Sequence, residues 1–135
     1  MAASEKAPLE GWVAIVDDDD SIRRSLARLF RINSINVRTF ESAEAFLSYR
    51  PDVEPQCLVV DVHLGGMSGF VLQDRLAASG RTPPIIFMTA MDEMPEGQLE
   101  GRSGIHTYLR KPFDTKTLLT LVQLLGSAPT KGGNE

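Results

Sequence analysis

Residues 13–26 read VAIVDDDDSIRRSL, in which a short apolar run is followed by four aspartates and then by a helix-like pattern. A continuous apolar run of this length is typical of a strand that is buried on both faces of a parallel sheet. Asp17 and Asp18 therefore stand at the carboxyl end of a predicted central strand. Parallel α/β sheets bind ligands in the crevice at this end, so the two carboxylates are candidate ligand-binding groups.

Three later apolar runs also lead into residues suited to a site for phosphate and metal. Asp61 follows the run CLVV, Thr89 follows IIFM, and Lys111 comes shortly after the pair YL. Parallel strands bring their carboxyl ends to one edge of the sheet. Carboxylates, a hydroxyl and a lysine are therefore expected to share one pocket.

The spacing of these runs predicts an α/β fold. Helix-length segments alternate with strand-like segments five times, which predicts a three-layer sandwich with right-handed crossovers. Residues 36–40 have the composition of an edge strand. Four of the predicted helices cover residues 22–32, 42–49, 69–78 and 115–125, with Ser21 and Asp114 as the predicted caps of the first and the last.

The remaining segments are predicted to be less ordered. A short, mobile or partly unwound fourth helix is expected between Asp92 and Ser103, because Gly97 and Gly101 each cost up to about 1 kcal/mol relative to alanine. Residues 1–11 are expected to form a flexible lead-in, residues 12–126 a single folded domain, and residues 127–135 a flexible tail or the beginning of a linker.

The bulk composition is that of one ordinary globular domain. The chain has 135 residues, of which 42% are hydrophobic and 24% charged. It contains neither an apolar run near the roughly 20 residues that cross a bilayer nor the hydrophobic region of a secretory signal, so a cytoplasmic protein without membrane contact is expected. The single cysteine, Cys57, cannot form an internal disulfide and is predicted to be a half-buried structural thiol.

The charge of the chain argues against direct binding of nucleic acid. Its net charge is −4 and its pI is near 5.2. Binding to the phosphates of DNA or RNA needs clustered lysines and arginines on one surface. No direct nucleic-acid partner is therefore expected.

Four motifs, in this order along the chain, resemble the receiver domain of two-component response regulators. They are the acidic pair in VAIVDDDDSIRRSL, the aspartate and loop in CLVVDVHLGGMSGF, the threonine and alanine in PIIFMTA, and the lysine and proline in YLRKPF. Each motif alone is weak, but the ordered set is highly specific and covers about residues 12–126. The resemblance implies a flavodoxin-like (βα)5 fold with a parallel sheet of order 2-1-3-4-5.

The same resemblance implies a metal and phosphoacceptor site. Asp61 is expected to accept a phosphoryl group and, together with Asp18, to bind Mg²⁺ directly. Asp17 is expected to act on the metal through water, and the backbone carbonyl of His63 to complete the protein ligands. Clustered oxygen ligands suit Mg²⁺, which also keeps several waters.

Further residues match positions that respond to the phosphoryl group. Thr89 matches the hydroxyl that moves to hydrogen-bond it, and Lys111 matches the lysine that pairs with its charge. Tyr108 matches the switch aromatic that turns inward behind Thr89 on activation. The bond before Pro112 is expected to be cis, and Ala90 to leave space for the phosphoryl donor and later for water.

The implied function is a phosphorylation-dependent signalling switch rather than an enzyme. It would promote its own phosphotransfer and slow dephosphorylation, with a sensor histidine kinase or a histidine phosphotransfer protein as partner. The arginines of the first helix are candidates for docking that partner. The fourth helix, fifth strand and fifth helix would change their surface, through which the chain could also form a homodimer.

Alternative interpretations account for parts of this pattern. A solvated acidic turn explains Asp19 and Asp20, and an EF-hand would need glycine where Ile22 stands. A phosphatase of the haloacid-dehalogenase type would need an aspartate at the position of His63. A phosphate-independent receiver fits the complete acidic set less well, and a flavodoxin would need a Ser/Thr-rich loop after the first strand.

One position departs from the family pattern. Many receivers carry a proline where Gly65 stands, so this loop is expected to be more flexible. His63 and Met91 flank the pocket in the family pattern and are candidates for tuning hydrolysis. The final residues fit both a stand-alone receiver and a longer regulator with a DNA-binding domain.

Overall fold

The computed structural model describes residues 11–89 and 106–127. The predictions for residues 1–10, 90–105 and 128–135, including the fourth helix, Ala90 and Met91, lie outside these ranges. In chain order the described elements are β1 (Trp12–Val16), α1 (Asp20–Ile32), β2 (Asn36–Phe40), α2 (Ala43–Ser48), β3 (Cys57–Asp61), α3 (Gly69–Ala78), β4 (Ile85–Thr89), β5 (His106–Arg110) and a C-terminal helix (Thr115–Ser127).

The five strands form one parallel sheet in the order β2-β1-β3-β4-β5, which confirms the predicted topology. Val16 of β1 is paired with Val60 of β3, and Asp61 is paired with Met88 of β4. The carboxyl ends of the central strands are therefore level with one another. The residues that follow these ends are placed along one edge of the sheet, as the sequence predicts.

Apolar side chains fill both faces of the sheet, which confirms the three-layer sandwich. On one face the strands pack against α1 and the C-terminal helix through Leu26, Phe30, Leu118 and Val122. On the other face they pack against α2 and α3 through Phe46, Phe70, Leu72 and Leu76. None of the helices in the described ranges combines the length and apolarity of a membrane-spanning segment.

Cys57 is more deeply buried than predicted. Its thiol is fully inaccessible in β3 rather than half-buried, and burial raises its pKa to about 12. Cys57 is the first residue of β3, but β3 is the central strand of the sheet, so even its first residue is buried. The residue is an inert packing group, as its structural role requires.

The start of α1 corrects one predicted cap. Asp19, not Ser21, is the N-cap: its Oδ1 accepts hydrogen bonds from the amides of Ser21 and Ile22 at 2.9 and 3.2 Å. The helix therefore begins at Asp20, two residues earlier than predicted. Aspartate and serine are comparable caps, and the one whose backbone is still extended takes the position.

Gly69, the first residue of α3, lies directly against the end of β3. A Cβ atom on Gly69 would lie 2.9 Å from the carbonyl oxygen of Asp61 and 3.0 Å from Cγ1 of Val60. We predict that Gly69→Ala lowers the free energy of unfolding by about 1 to 3 kcal/mol, because the added methyl group must displace the backbone of β3. Denaturant unfolding measures this change.

Gly66→Ala, in the loop that precedes α3, is the matched control. Its Cβ would meet only Oε2 of Glu44, at an ordinary 3.7 Å. The expected change is within about 0.5 kcal/mol. Equal losses in the two variants would contradict the close packing of α3 on β3.

Candidate functional site

Asp17 is the buried member of the acidic pair after β1. It is fully inaccessible to solvent, and its Oδ1 accepts a hydrogen bond from the amide of Asp19 at 2.8 Å. Its Oδ2 is buried and has no hydrogen-bond partner among the described residues. Because a buried polar atom without a partner is costly, this oxygen is a candidate group for contact with a cation or with its water.

The surroundings of Asp17 disfavour its ionised form. Burial raises its pKa to about 6, and the carboxylates of Asp61 and Asp18 act in the same direction. The amide of Asp19 and the charge of Lys111 oppose the rise. A cation bound nearby would favour the ionised form of Asp17, because its charge would offset that of the buried carboxylate.

Asp61 is held at both carboxylate oxygens. Its Oδ2 lies 2.9 Å from Nζ of Lys111, and its Oδ1 accepts a hydrogen bond from the amide of His63 at 2.8 Å. The side chains of Asp61 and Lys111 remain 13% and 29% exposed, so a ligand from solvent can reach the pair. The geometry is a partly buried, accessible carboxylate next to a fixed cation.

The end of β5 is tied to the end of β4, which places Lys111. The amide of Lys111 donates to the carbonyl oxygen of Thr89 at 2.7 Å, and the bond between Lys111 and Pro112 is cis, as expected. Thr89 is fully buried, one residue beyond Met88, the partner of Asp61 in the sheet. Tyr108, by contrast, is 39% exposed. An outward position is compatible with tyrosine because its hydroxyl group can hydrogen-bond to water.

Asp18 and Gly65 lie next to each other at the mouth of the site. A Cβ atom on Gly65 would be 3.2 Å from Oδ2 of Asp18, and the φ angle of Gly65 is +81°. Proline fixes φ near −65°, so it cannot occupy this conformation. The departure from the family pattern at Gly65 therefore has a conformational reason.

The donor set fits a magnesium ion, although it is not a preassembled cage. Within residues 11–89 and 106–127, no group of three or more His, Cys, Asp or Glu side chains is arranged to hold a metal. Mg²⁺ typically takes only one or two carboxylates and keeps several waters. Asp18 and Asp61 supply two accessible carboxylates, and the unpartnered Oδ2 of Asp17 could accept a hydrogen bond from a water on the metal.

Arg23 is a residue of the site that sequence reasoning missed. The arginines of α1 are predicted candidates for docking a partner, yet the Arg23 side chain is only 15% exposed and its Nη1 donates to the carbonyl oxygen of Asp17 at 2.7 Å. Its Nη2 donates to Oδ1 of Asp20 at 2.8 Å. The spacing of three residues between Asp20 and Arg23 signals that ion pair, but not the contact with Asp17.

The response regulator receiver domain family matches residues 13–123 of this chain. Transcriptional regulatory protein TdiR of Thauera aromatica is 38% identical over 82% of the chain, and FixJ of Azorhizobium caulinodans is 34% identical over 91%. The matches cover 48% and 59% of those proteins, so the chain spans about half the length of the curated relatives it matches.

Solved structures agree with this family match. The crystal structure of FixJ-N has a TM-score of 0.78 at 29% identity and matches 89% of this chain and 96% of its own. The structure of the response regulator StyR has a TM-score of 0.79 at 32% identity, with 92% of this chain and 63% of its own covered.

Proposed function

We propose that this chain, which belongs to the family of response regulator receiver domains, is a phosphorylation-dependent switch whose phosphoacceptor is Asp61. Receiver domains of this family are signalling switches of two-component systems and interact with histidine kinases. The proposed donor is accordingly a sensor histidine kinase or a histidine phosphotransfer protein.

The observation that carries the proposal is the contact of 2.9 Å between Lys111 Nζ and Asp61 Oδ2, beside the unpartnered oxygen of Asp17. An oxygen of Asp61 would form a bond to phosphorus while the bond from phosphorus to the histidine nitrogen of the donor breaks. The nitrogen keeps the electron pair of that bond. Lys111 then lies where it can offset the charge that arrives with the phosphoryl group.

Magnesium fits the same pocket. Asp17, Asp18, Asp61 and the backbone carbonyl of His63 are the groups that would hold it. When bound, it would offset negative charge on the oxygens of the transferred group. Asp61 would then be both nucleophile and metal ligand, and Asp17 would act on the metal through water, so that its buried charge would gain a partner.

The proposed switch runs from Thr89 to the outer surface. The new charge on Asp61 would draw the Thr89 hydroxyl and Lys111 inward, and Tyr108, now 39% exposed, would turn its ring into the space behind Thr89. The surface of the predicted fourth helix, β5 and the C-terminal helix would then differ between the two states. A partner protein or a second copy of the chain would bind one state better than the other.

Labelling with acetyl phosphate tests the proposal. With Mg²⁺, the mass of the chain should increase by one phosphoryl group, and removal of Mg²⁺ with a chelator should abolish the increase. Asp61→Asn should abolish it as well. Asp52→Asn, which removes an exposed carboxylate, should label as the parent chain does. A parent chain that never labels would indicate a phosphate-independent module instead.

A further inference from the structure

The peptide that joins Asp17 and Asp18 is held from outside the loop by Arg23. Its carbonyl oxygen accepts the 2.7 Å hydrogen bond from Nη1 of Arg23. On the other side of Asp17, its amide donates to the carbonyl oxygen of Phe40 at 3.1 Å. The backbone on both sides of Asp17 is therefore tied to other elements, β2 on one side and α1 on the other.

This peptide links the Cα atoms of Asp17 and Asp18, so its orientation affects how the two carboxylates are placed relative to each other. Oδ1 of Asp17 already accepts the hydrogen bond from the amide of Asp19 at 2.8 Å, and only Oδ2 of this carboxylate has no partner. Rotation about the Cα–C bond of Asp17 would move the Cα of Asp18 and the Asp19 amide that holds Oδ1 of Asp17. Arg23 prevents that rotation, and its bond to Asp20 keeps the guanidinium itself in place at 2.8 Å.

We propose that Arg23 is a positioning residue for the cation site, which it orients through the peptide of Asp17 and Asp18 without touching the ion. The proposal rests on the proposed function, because it takes Asp17, Asp18 and Asp61 as the cation-binding groups. Outer-shell groups that orient ligands typically contribute 10- to 100-fold in metal affinity.

The sign of the effect separates positioning from simple electrostatics. A guanidinium close to a cation site repels the cation, so removal of its charge alone would strengthen Mg²⁺ binding. Loss of the contact with Asp17 would weaken it. Arg24 is a matched control, because it follows Arg23 on the same helix and also pairs with Asp20, but it is 78% exposed and makes no contact with Asp17.

Titration of the full chain with MgCl₂, followed by NMR, tests the proposal with three variants. Arg23→Met keeps the length of the side chain and removes its charge and donors, and it should weaken binding roughly tenfold. Arg24→Met removes the same charge and should leave the affinity unchanged or slightly higher. Arg23→Lys restores one donor and should recover most of the affinity.

A measurement without metal completes the test. In Arg23→Met, the backbone order parameters of the Asp18 and Asp19 amides should fall from about 0.85 towards 0.6, and in Arg24→Met they should not change. Unchanged order parameters in Arg23→Met, or Mg²⁺ affinity at or above that of the parent chain, would overturn the role of Arg23. A parent chain that binds no Mg²⁺ would refute the proposed function. The order parameters would still test separately whether Arg23 holds the backbone of the acidic pair in place.

Discussion

Without metal at pH 7.5, Asp17→Asn should raise the free energy of unfolding by about 2 to 3 kcal/mol. Burial raises the pKa of Asp17 to about 6 from its ordinary 3.8, so the folded chain favours the protonated carboxyl. Asparagine has the same shape and can still accept the hydrogen bond from Asp19. It removes the buried charge that the native carboxylate must carry at neutral pH.

The pH dependence of this gain follows from the direction of the pKa change. Below about pH 4 Asp17 is protonated in both the folded and the unfolded chain, so the variant should gain little. Between about pH 4 and 6 Asp17 is ionised in the unfolded chain but protonated in the folded chain, so the native chain loses stability relative to the variant, and the full difference is present above about pH 7. Urea unfolding at a series of pH values measures the difference between the two chains.

Asp19→Asn is the control for the Asp17 prediction. Asp19 is exposed and caps α1, and asparagine caps as well as aspartate does. Its stability should therefore change by less than about 0.5 kcal/mol. A gain that appears equally in both variants, or a loss at neutral pH in Asp17→Asn, would contradict the account of Asp17 as an uncompensated buried charge.

Lys111→Met should slow phosphoryl transfer to Asp61 by roughly 10- to 1,000-fold, because a fixed cation that meets developing charge contributes on this scale. Nζ of Lys111 already lies 2.9 Å from Oδ2 of Asp61. The initial rate of labelling by acetyl phosphate at saturating Mg²⁺ measures the loss. Affinity for Mg²⁺ should not fall, because a competing positive charge has been removed from the pocket.

Lys116→Met provides the comparison, since it removes an exposed lysine from the C-terminal helix. It should label at the rate of the parent chain. If Lys111→Met labelled normally, or lost Mg²⁺ binding together with labelling, the lysine would have a structural role only.

Strand runs and strand ends were enough to predict the sheet and the components of the site. The apolar runs before Asp17, Asp61 and Thr89 are strands of one parallel sheet, and Lys111 lies in contact with Asp61. These features follow from local periodicity and from the rule that parallel strands share their ligand-binding end. The resemblance supplied the strand order and the cis bond before Pro112.

Features that depend on distant neighbours could not be read from the sequence. The contact of Arg23 with the Asp17 carbonyl requires the exact turn between β1 and α1, which periodicity does not determine. Close packing at Gly69 depends on the approach of α3 to β3, and the positive φ of Gly65 depends on the loop around Asp18. Asp19 rather than Ser21 caps α1, a difference that the sequence does not show because both residue types cap helices well.

Mapping the phosphoryl group after labelling is the most direct test of Asp61 as phosphoacceptor. Reduction of the acyl phosphate with borohydride converts the modified aspartate into homoserine, which tandem mass spectrometry can locate. The account predicts homoserine at position 61 alone, with Asp17 and Asp18 unmodified. Homoserine at either of those residues, or a phosphoryl group on a histidine, would contradict it.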